Sequence, residues 1–270
     1  GKNVVSCKLS ADVAVNGTSL SVATDTGWLD NDVIALASTT QTAGQCEAGQ
    51  LNGSAGAGTW TVDTFAGAGG GVAFAHSGTS PTQAELILLT RNVQILGVSA
   101  TVQTYLTISA TATVDWDWTE FKWLGSNVTN KRGVELASTT GSVNVQFCSF
   151  HDFVVVGSLG FDATSANQSH VYSNNVSWNI SWYHYSSRNN TGNSTAVASG
   201  NVHILSVVTG VAFLGTSNGG FGSFSNTTCV GGASEGVGLT FFGSAVLFSG
   251  ITVHSNTGPG IQLNRAFGSS

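Results

Sequence analysis

The sequence predicts an all-β chain, a right-handed parallel β-helix preceded by a smaller irregular β region. Three observations predict it. Two stretches near the C-terminus align without a gap at a spacing of 24 residues, pairing Phe224 with Phe248, Cys229 with Val253, Gly236 with Gly260, Val237 with Ile261 and Leu239 with Leu263. A repeat of that length, built of short alternating apolar runs broken by Gly, Asn and Ser, is one coil of a solenoid that buries its inward side chains on the coil below. No segment carries a 3.6-residue apolar period with caps. Charged residues are only 8% of the chain, against about 25% in ordinary soluble domains. Neutral polar side chains suit a stacked β-surface, where like charges on successive coils would repel.

Two regions follow, residues 1–97 and 98–270. In the first, Val13-Ala14-Val15 and Leu20-Ser21-Val22 alternate around Asn16-Gly17, a hairpin signal. Val33-Ile34-Ala35-Leu36-Ala37 reads as a buried strand after the turn Asp30-Asn31-Asp32. Residues 44–71 are dominated by Gly and Ala, with Trp60-Thr61-Val62 as one strand. The run Ala66-Gly67-Ala68-Gly69-Gly70-Gly71 lacks the following helix and lysine of a phosphate-binding loop. Glu85–Leu89 and Arg91–Gly97 are the strongest strands of the first half. From there coils succeed one another through Leu106, Phe121, Val134, Val145, Val154, Val171, Val202 and Val211 to the 24-residue pair.

At 270 residues and 41% apolar composition, the chain can bury a substantial core. Its net charge is −6, and its eight basic residues are scattered singly, which excludes the basic stripe that nucleic acid requires. No apolar run approaches the ~18 residues of a membrane span. With Gly1 first and no methionine, the chain reads as a processed product or an excised segment. Sequons begin at Asn16, Asn52, Asn127, Asn167, Asn175, Asn179, Asn189, Asn193 and Asn226, against about five expected by chance. They predict an extracellular or cell-surface glycoprotein with covalent glycans. Four cysteines lack Cys-x-x-Cys spacing, so no metal is expected, and no cofactor. Cys7 and Cys46 share the N-terminal region as a possible disulfide, whereas Cys148 and Cys229 read as small buried hydrophobes.

The stretch Ala84-Glu85-Leu86-Ile87-Leu88-Leu89-Thr90-Arg91-Asn92-Val93-Gln94-Ile95-Leu96-Gly97 resembles a signature of the fibrocystin-like cell-surface proteins, a family that includes the cell-migration-inducing hyaluronidase. In that family it follows a G8 domain and opens a right-handed parallel β-helix. Trp28 and Asp32–Thr39, His76, Cys148-Ser149-Phe150-His151 and Val171-Tyr172-Ser173-Asn174-Asn175-Val176 are similar to further family segments, so the likeness covers residues 15–185. Members that degrade hyaluronan carry a His-aromatic-His motif where this chain has Gly133-Val134-Glu135-Leu136-Ala137. They also carry a histidine followed by two acids where this chain has Trp182-Tyr183-His184-Tyr185-Ser186-Ser187. The resemblance thus implies the fold without the hydrolytic residues.

Asp115 and Asp117, two apart on one strand, sit on one wall and do not face each other across a substrate, so they read as a solvated edge with Trp116 and Trp118 buried. His151 and Asp152 are adjacent, which on an extended strand sends them to opposite faces and argues against a dyad. Trp178, Trp182, Tyr183 and Tyr185 form an aromatic cluster beside two sequons. It packs on attached glycans, stacks a bound sugar, or serves as core. The function expected is a non-catalytic structural or adhesive glycoprotein that self-associates, or joins sibling domains, in a surface fibre. The alternative is a carbohydrate-active enzyme or glycan-binding module.

Overall fold

The computed structural model describes residues 2, 4–54, 58–108, 112–126, 128, 131–136, 142–153, 159–163, 169–181, 183–187, 195–206, 211–216, 221–232, 237–241 and 247–265. The N-terminal region is more regular than its glycines suggest. It holds β1 (Ser6–Lys8), β2 (Ser19–Ser21), β3 (Val33–Leu36), β4 (Glu47–Ser54), β5 (Thr59–Asp63) and β6 (Glu85–Leu88) in one antiparallel sheet of order β1-β6-β3-β4-β5-β2. The sheet curls until its ends meet at an isolated Leu9–Val22 bridge. Leu9, Leu20, Trp28, Ile34, Leu36, Trp60, Leu86 and Leu88 fill its inside.

The remaining strands wind as coils with three parallel walls. The coils are β7 (Val93–Leu96), β8 (Leu106–Ile108), β9 (Val114–Asp117); β10 (Thr119–Lys122), β11 (Gly133–Leu136), β12 (Val143–Gln146); β13 (Ser149–Phe153), β14 (Leu159–Ala163), β15 (Ser169–Ser173); β16 (Val176–Ile180), β17 (Tyr183–Ser187), β18 (Thr195–Ser199); β19 (Val202–Ser206), β20 (Val211–Thr216), β21 (Phe221–Ser225); β22 (Thr228–Gly232), β23 (Val237–Phe241), β24 (Leu247–Ser249); and finally β25 (Thr252–His254) with β26 (Ile261–Arg265). The first strand of each coil builds the first wall, the second the second wall, and the third the third wall. The solenoid therefore begins at β7, and the division expected at 97/98 moves to between β6 and β7.

The 24-residue repeat is one coil. Phe224 pairs with Phe248, Cys229 with Val253, Val237 with Ile261 and Leu239 with Leu263. Inside the solenoid Phe121 stacks on Phe150 with ring centroids 4.8 Å apart, and Phe224 on Phe248 at 5.6 Å. Cys148 and Cys229 are inward core residues, as their sequence context suggests.

Two columns of left-handed residues bracket the first wall. Trp118, Phe147, Asn174, Gly200, Asn226 and Gly250 turn the chain into it, and Trp123, Asp152, Asn179, Leu205, Gly231 and Ser255 turn it out. Positive φ favours Gly and Asn, and these fill six of the twelve corners. Just after the first column, Asn175 and Asn201 form a buried ladder. Asn175 Oδ1 accepts from Cys148 N at 2.9 Å, and its Nδ2 donates to Val145 O at 2.8 Å. One coil on, Asn201 Oδ1 accepts from Asn175 N, and its Nδ2 donates to Tyr172 O, both at 2.9 Å. Each carboxamide thus satisfies backbone groups that the corner removes from the strand ladder.

The antiparallel sheet packs on the outer face of the first wall. Alternation on β3 and β6 sends Ile34, Leu36, Leu86 and Leu88 inward, while Ala35, Ala37, Ile87 and Leu89 meet Val176, Trp178, Val202, Ile204 and Val230 of the solenoid. Both faces of these strands are covered, which explains their uninterrupted apolar character. Replacing Asn201 by Ala would leave a buried N–H and a buried carbonyl without partners and should cost about 2–4 kcal/mol. Denaturant unfolding followed by circular dichroism measures it, and a loss below about 1 kcal/mol would contradict the ladder's role.

Candidate functional site

The junction of sheet and solenoid gathers the chemistry. Glu120 on β10 and His151 on β13 both point outward from the first wall and are buried under the antiparallel sheet. His151 Nε2 lies 3.0 Å from Glu120 Oε1, and His151 Nδ1 lies 2.9 Å from Asp152 Oδ2. The expectation that adjacent His151 and Asp152 diverge is overturned. Asp152 occupies a left-handed corner, φ 57°, so the strand's alternation stops there and the two side chains meet. Asn179, the next corner in that column, donates from Nδ2 to Asp152 Oδ1 at 2.8 Å.

Glu120 Oε2 accepts from Gln94 Nε2 at 2.8 Å and from Arg91 N at 3.0 Å. The Arg91 guanidinium donates to the carbonyls of Phe147, Leu88 and Thr90 and lies over the Trp118 ring, tying the link between the two regions to the solenoid. Burial lowers Arg91 to about 10. For His151, burial alone would push the imidazole down. The hydrogen bonds and charges of Asp152 and Glu120 outweigh it and hold the ring above its ordinary value. Burial likewise works against ionised Glu120 and Asp152, but the bonds to His151 hold both below theirs. This is an imidazolium clamped between two carboxylates, enclosed too fully to meet a substrate.

Further around the junction lies a cleft of about 280 Å³. Lys8 of β1, Thr39–Gln41, Pro81–Gln83, Glu85 of β6, Thr228 of β22 and Thr252, His254 and Ser255 at β25 line it. Glu85 is mostly enclosed, and its nearest cation, Lys8 Nζ, is 3.9 Å away. Burial raises its carboxyl to about 7, with Lys8 pulling back only part of the way. Burial and Lys8 both lower His254. Glu85 lies within the Ala84–Gly97 signature, but the cleft draws on five separated segments, so no local pattern marks it.

The other sequence-derived candidates divide. Cys7 and Cys46 are both free. Cys7 packs toward the inside of the antiparallel sheet and Cys46 toward the solenoid, and β6 and β3 lie between their strands, so the expected disulfide does not form. Burial raises Cys7 to about 12 and Cys46 to about 11. Trp178 is buried in the junction core and is not a glycan platform. Tyr183 and Tyr185 lie on β17, two residues apart, and Trp182 lies outside the described residues. Asp115 and Asp117 are exposed, with Trp116 packed toward the core.

Of the sequons, Asn16, Asn52 and Asn226 are exposed. Asn175 is wholly buried with its Nδ2, the atom a glycan would take, bonded to Val145 O, so it is no glycosylation site. Asn179 Nδ2 is held by Asp152 in the same way. Asn127, Asn167, Asn189 and Asn193 lie outside the described residues. His76, expected from the family resemblance, is a buried strut whose Nε2 lies 2.7 Å from Glu47 Oε1 and whose Nδ1 faces Ala37 O at 3.0 Å.

No protein-family model matches the chain, and no curated protein does. Among solved structures it is similar to the tailspike protein gp49 from Pseudomonas phage LKA1, with 12% identity and a TM-score of 0.30 over 93% of this chain and 42% of that one. The chain thus spans less than half of that protein's length. At this distance the likeness adds nothing to the β-helix already evident from strand pairing.

Two outcomes test the site. His151 has its folded value raised, so its contribution is complete below the unfolded value of about 6.5 and is lost as pH rises through the folded value. Glu120 and Asp152, both depressed, contribute above about pH 4 and lose that contribution on acidification. Thermal melts across this range should show a plateau with two falling limbs, and His151→Gln should flatten the alkaline limb. Peptide mapping after expression in a glycosylating host should find sugar among Asn16, Asn52 and Asn226 and none on Asn175; an occupied Asn175 would contradict the buried ladder.

Proposed function

We propose that the chain is a non-catalytic, extracellular structural glycoprotein of fibrocystin-like type, whose β-helix stacks end to end with a second copy to build a surface fibre. One observation carries this reading. Among the described residues the first coil leaves the outer edges of β7, β8 and β9 unpaired, and around them Val93, Leu96, Val98, Val102 and Tyr105 are exposed, Val98 to 81%. Unpaired strand edges beside apolar side chains are templates for another strand set. At the other end of the described solenoid, β24, β25 and β26 also have one neighbour each, and Leu247 and Ile261 are exposed. The ends are complementary in kind because every coil repeats the same three walls.

Other features agree. Eight charged residues in every hundred give little electrostatic protection against association. The exposed sequons Asn16, Asn52 and Asn226 suit an extracellular setting. The acid–base cluster at Glu120, His151 and Asp152 is spent on holding two parts of the chain together.

Mass photometry and negative-stain electron microscopy over a concentration series should show rods lengthening along the solenoid axis. The double variant Leu96→Lys, Val98→Lys should stop growth while leaving the β-rich circular dichroism spectrum intact. Dispersed monomers at every concentration would overturn the reading.

A further inference from the structure

The cleft between the antiparallel sheet and the last coils has a hydrogen-bonding pattern that selects its occupant. Ser255 has a single hydroxyl proton, and its Oγ donates to Thr40 O. The 2.9 Å bond between His254 Nδ1 and Ser255 Oγ must therefore be donated by the ring. A neutral imidazole protonated on Nδ1 presents Nε2 as an acceptor. Gln83 spends its Nε2 protons on Leu9 O at 3.0 Å and Gly78 O at 3.1 Å, which leaves its Oε1 as an acceptor too. Glu85 adds two carboxylate oxygens, for which Lys8 at 3.9 Å is beyond hydrogen-bonding distance.

Apart from the Lys8 ammonium at its rim, the lining is thus rich in acceptors, with threonine hydroxyls able to serve either way. An anion would meet Glu85 and lone pairs on several sides. An apolar ligand would strand the carboxylate without a donor. What satisfies the lining is an uncharged molecule carrying several hydroxyl donors close together, and adjacent sugar hydroxyls can bridge one carboxylate. The volume, about 280 Å³, is at the low end of small-molecule sites, which suits one or two sugar rings and not a long polymer segment.

We propose that this cleft is a binding site for a neutral saccharide, with Glu85, Gln83 and His254 accepting from its hydroxyls. The site is formed by the sheet and the first wall together, so it exists only while the junction holds. It is separate from the exposed first coil that carries the assembly reading. The titratable groups around Glu85 are Lys8 and the Cys7 thiol from β1, the latter raised by burial and by Glu85, and His254 from β25; Thr39–Gln41 and Pro81–Gln83 add none. Because a carboxylate accepts more strongly than a carboxylic acid, binding strengthens as pH rises through the Glu85 transition near 7.

Ligand-observed NMR on the full chain with cellohexaose, maltohexaose and N-acetylchitohexaose, with hexagalacturonate as the acidic arm, tests it. At least one neutral oligosaccharide should bind, more tightly at about pH 8 than at about pH 5.5, and the acidic one should not. Glu85→Gln should weaken binding about tenfold or more and remove its pH dependence. The same variant should melt higher than the parent at about pH 8, since it removes a carboxylate that burial disfavours, and this confirms that it folds. Thr252→Val should weaken binding without changing the melt. The Leu96→Lys, Val98→Lys variant should bind as the parent does, which keeps failure of assembly distinct from failure of this site. No binding by any neutral oligosaccharide, preference for hexagalacturonate, or parent-like binding by Glu85→Gln would each overturn the proposal.

Discussion

The two left-handed columns that bracket the first wall are the constraint on which the rest of this structure depends. A parallel coil must turn sharply at fixed places, and every coil must turn at the same places if inward residues are to stack. Here, from β10 onward, each column spends one residue per coil in a conformation that side chains with a Cβ disfavour. The cost recurs from coil to coil, and neighbouring groups offset it. Asn175 and Asn201 bond the backbone beside the corner, Phe147 stacks on Trp118 at 4.8 Å, and Asn179 braces Asp152. At Gly200 and Gly250 the absence of a Cβ removes the strain itself.

Because the corners fix the first wall, its outer face becomes a flat platform for the antiparallel sheet. The two regions share a core in which Ala35, Ala37, Ile87 and Leu89 meet Val176, Trp178, Val202 and Ile204. Its polar margin is equally shared. Ser149 Oγ donates to Leu89 O, and Ser255 Oγ to Thr40 O. The imidazolium of His151 stands at this margin with a carboxylate on each side. A buried charge is costly alone but tolerable when every partner is hydrogen-bonded, and Glu120 and Asp152 each have further donors from Gln94, Arg91 and Asn179.

The repeat was legible because stacking is periodic, and a periodic structure writes its register into the sequence. The spacing of Phe224 and Phe248, or of Val237 and Ile261, needs no knowledge of the remaining chain. Much of the candidate site was illegible for the complementary reason. Strand alternation places His151 and Asp152 on opposite faces and says nothing of a left-handed corner between strands. A three-residue sequon does not reveal that Asn175 lies inside a ladder, and proximity in sequence does not reveal that Cys7 and Cys46 face opposite sides of one sheet. The N-terminal region read as irregular because its glycine-rich loops hide a sheet closed by a single bridge, Leu9 to Val22. Inside the solenoid, Ser177 and His203 share a hydrogen bond at positions where neighbouring coils hold Phe150 and Cys229, a polar step in an apolar column that no repeat foretells.

Scarcity of charge follows from the same stacking. In-register coils place equivalent side chains about 4.8 Å apart, so a charge repeated from coil to coil would repel its own copies. Where the first wall is charged, it pairs opposite charges instead: the His151 ring lies between Glu120 on the preceding coil and Asp152 on its own. Its other positions are mostly Ser, Thr, Asn and apolar residues, which stack without penalty. A surface built this way has lost the means by which most β-proteins guard their edges, since a lone lysine or glutamate on an end strand is the usual deterrent. Val93 and Leu96 on β7 show no such guard. The composition that lets one coil settle on the next within the chain is thus the same one on which the proposed end-to-end assembly rests, and a single cause underlies both.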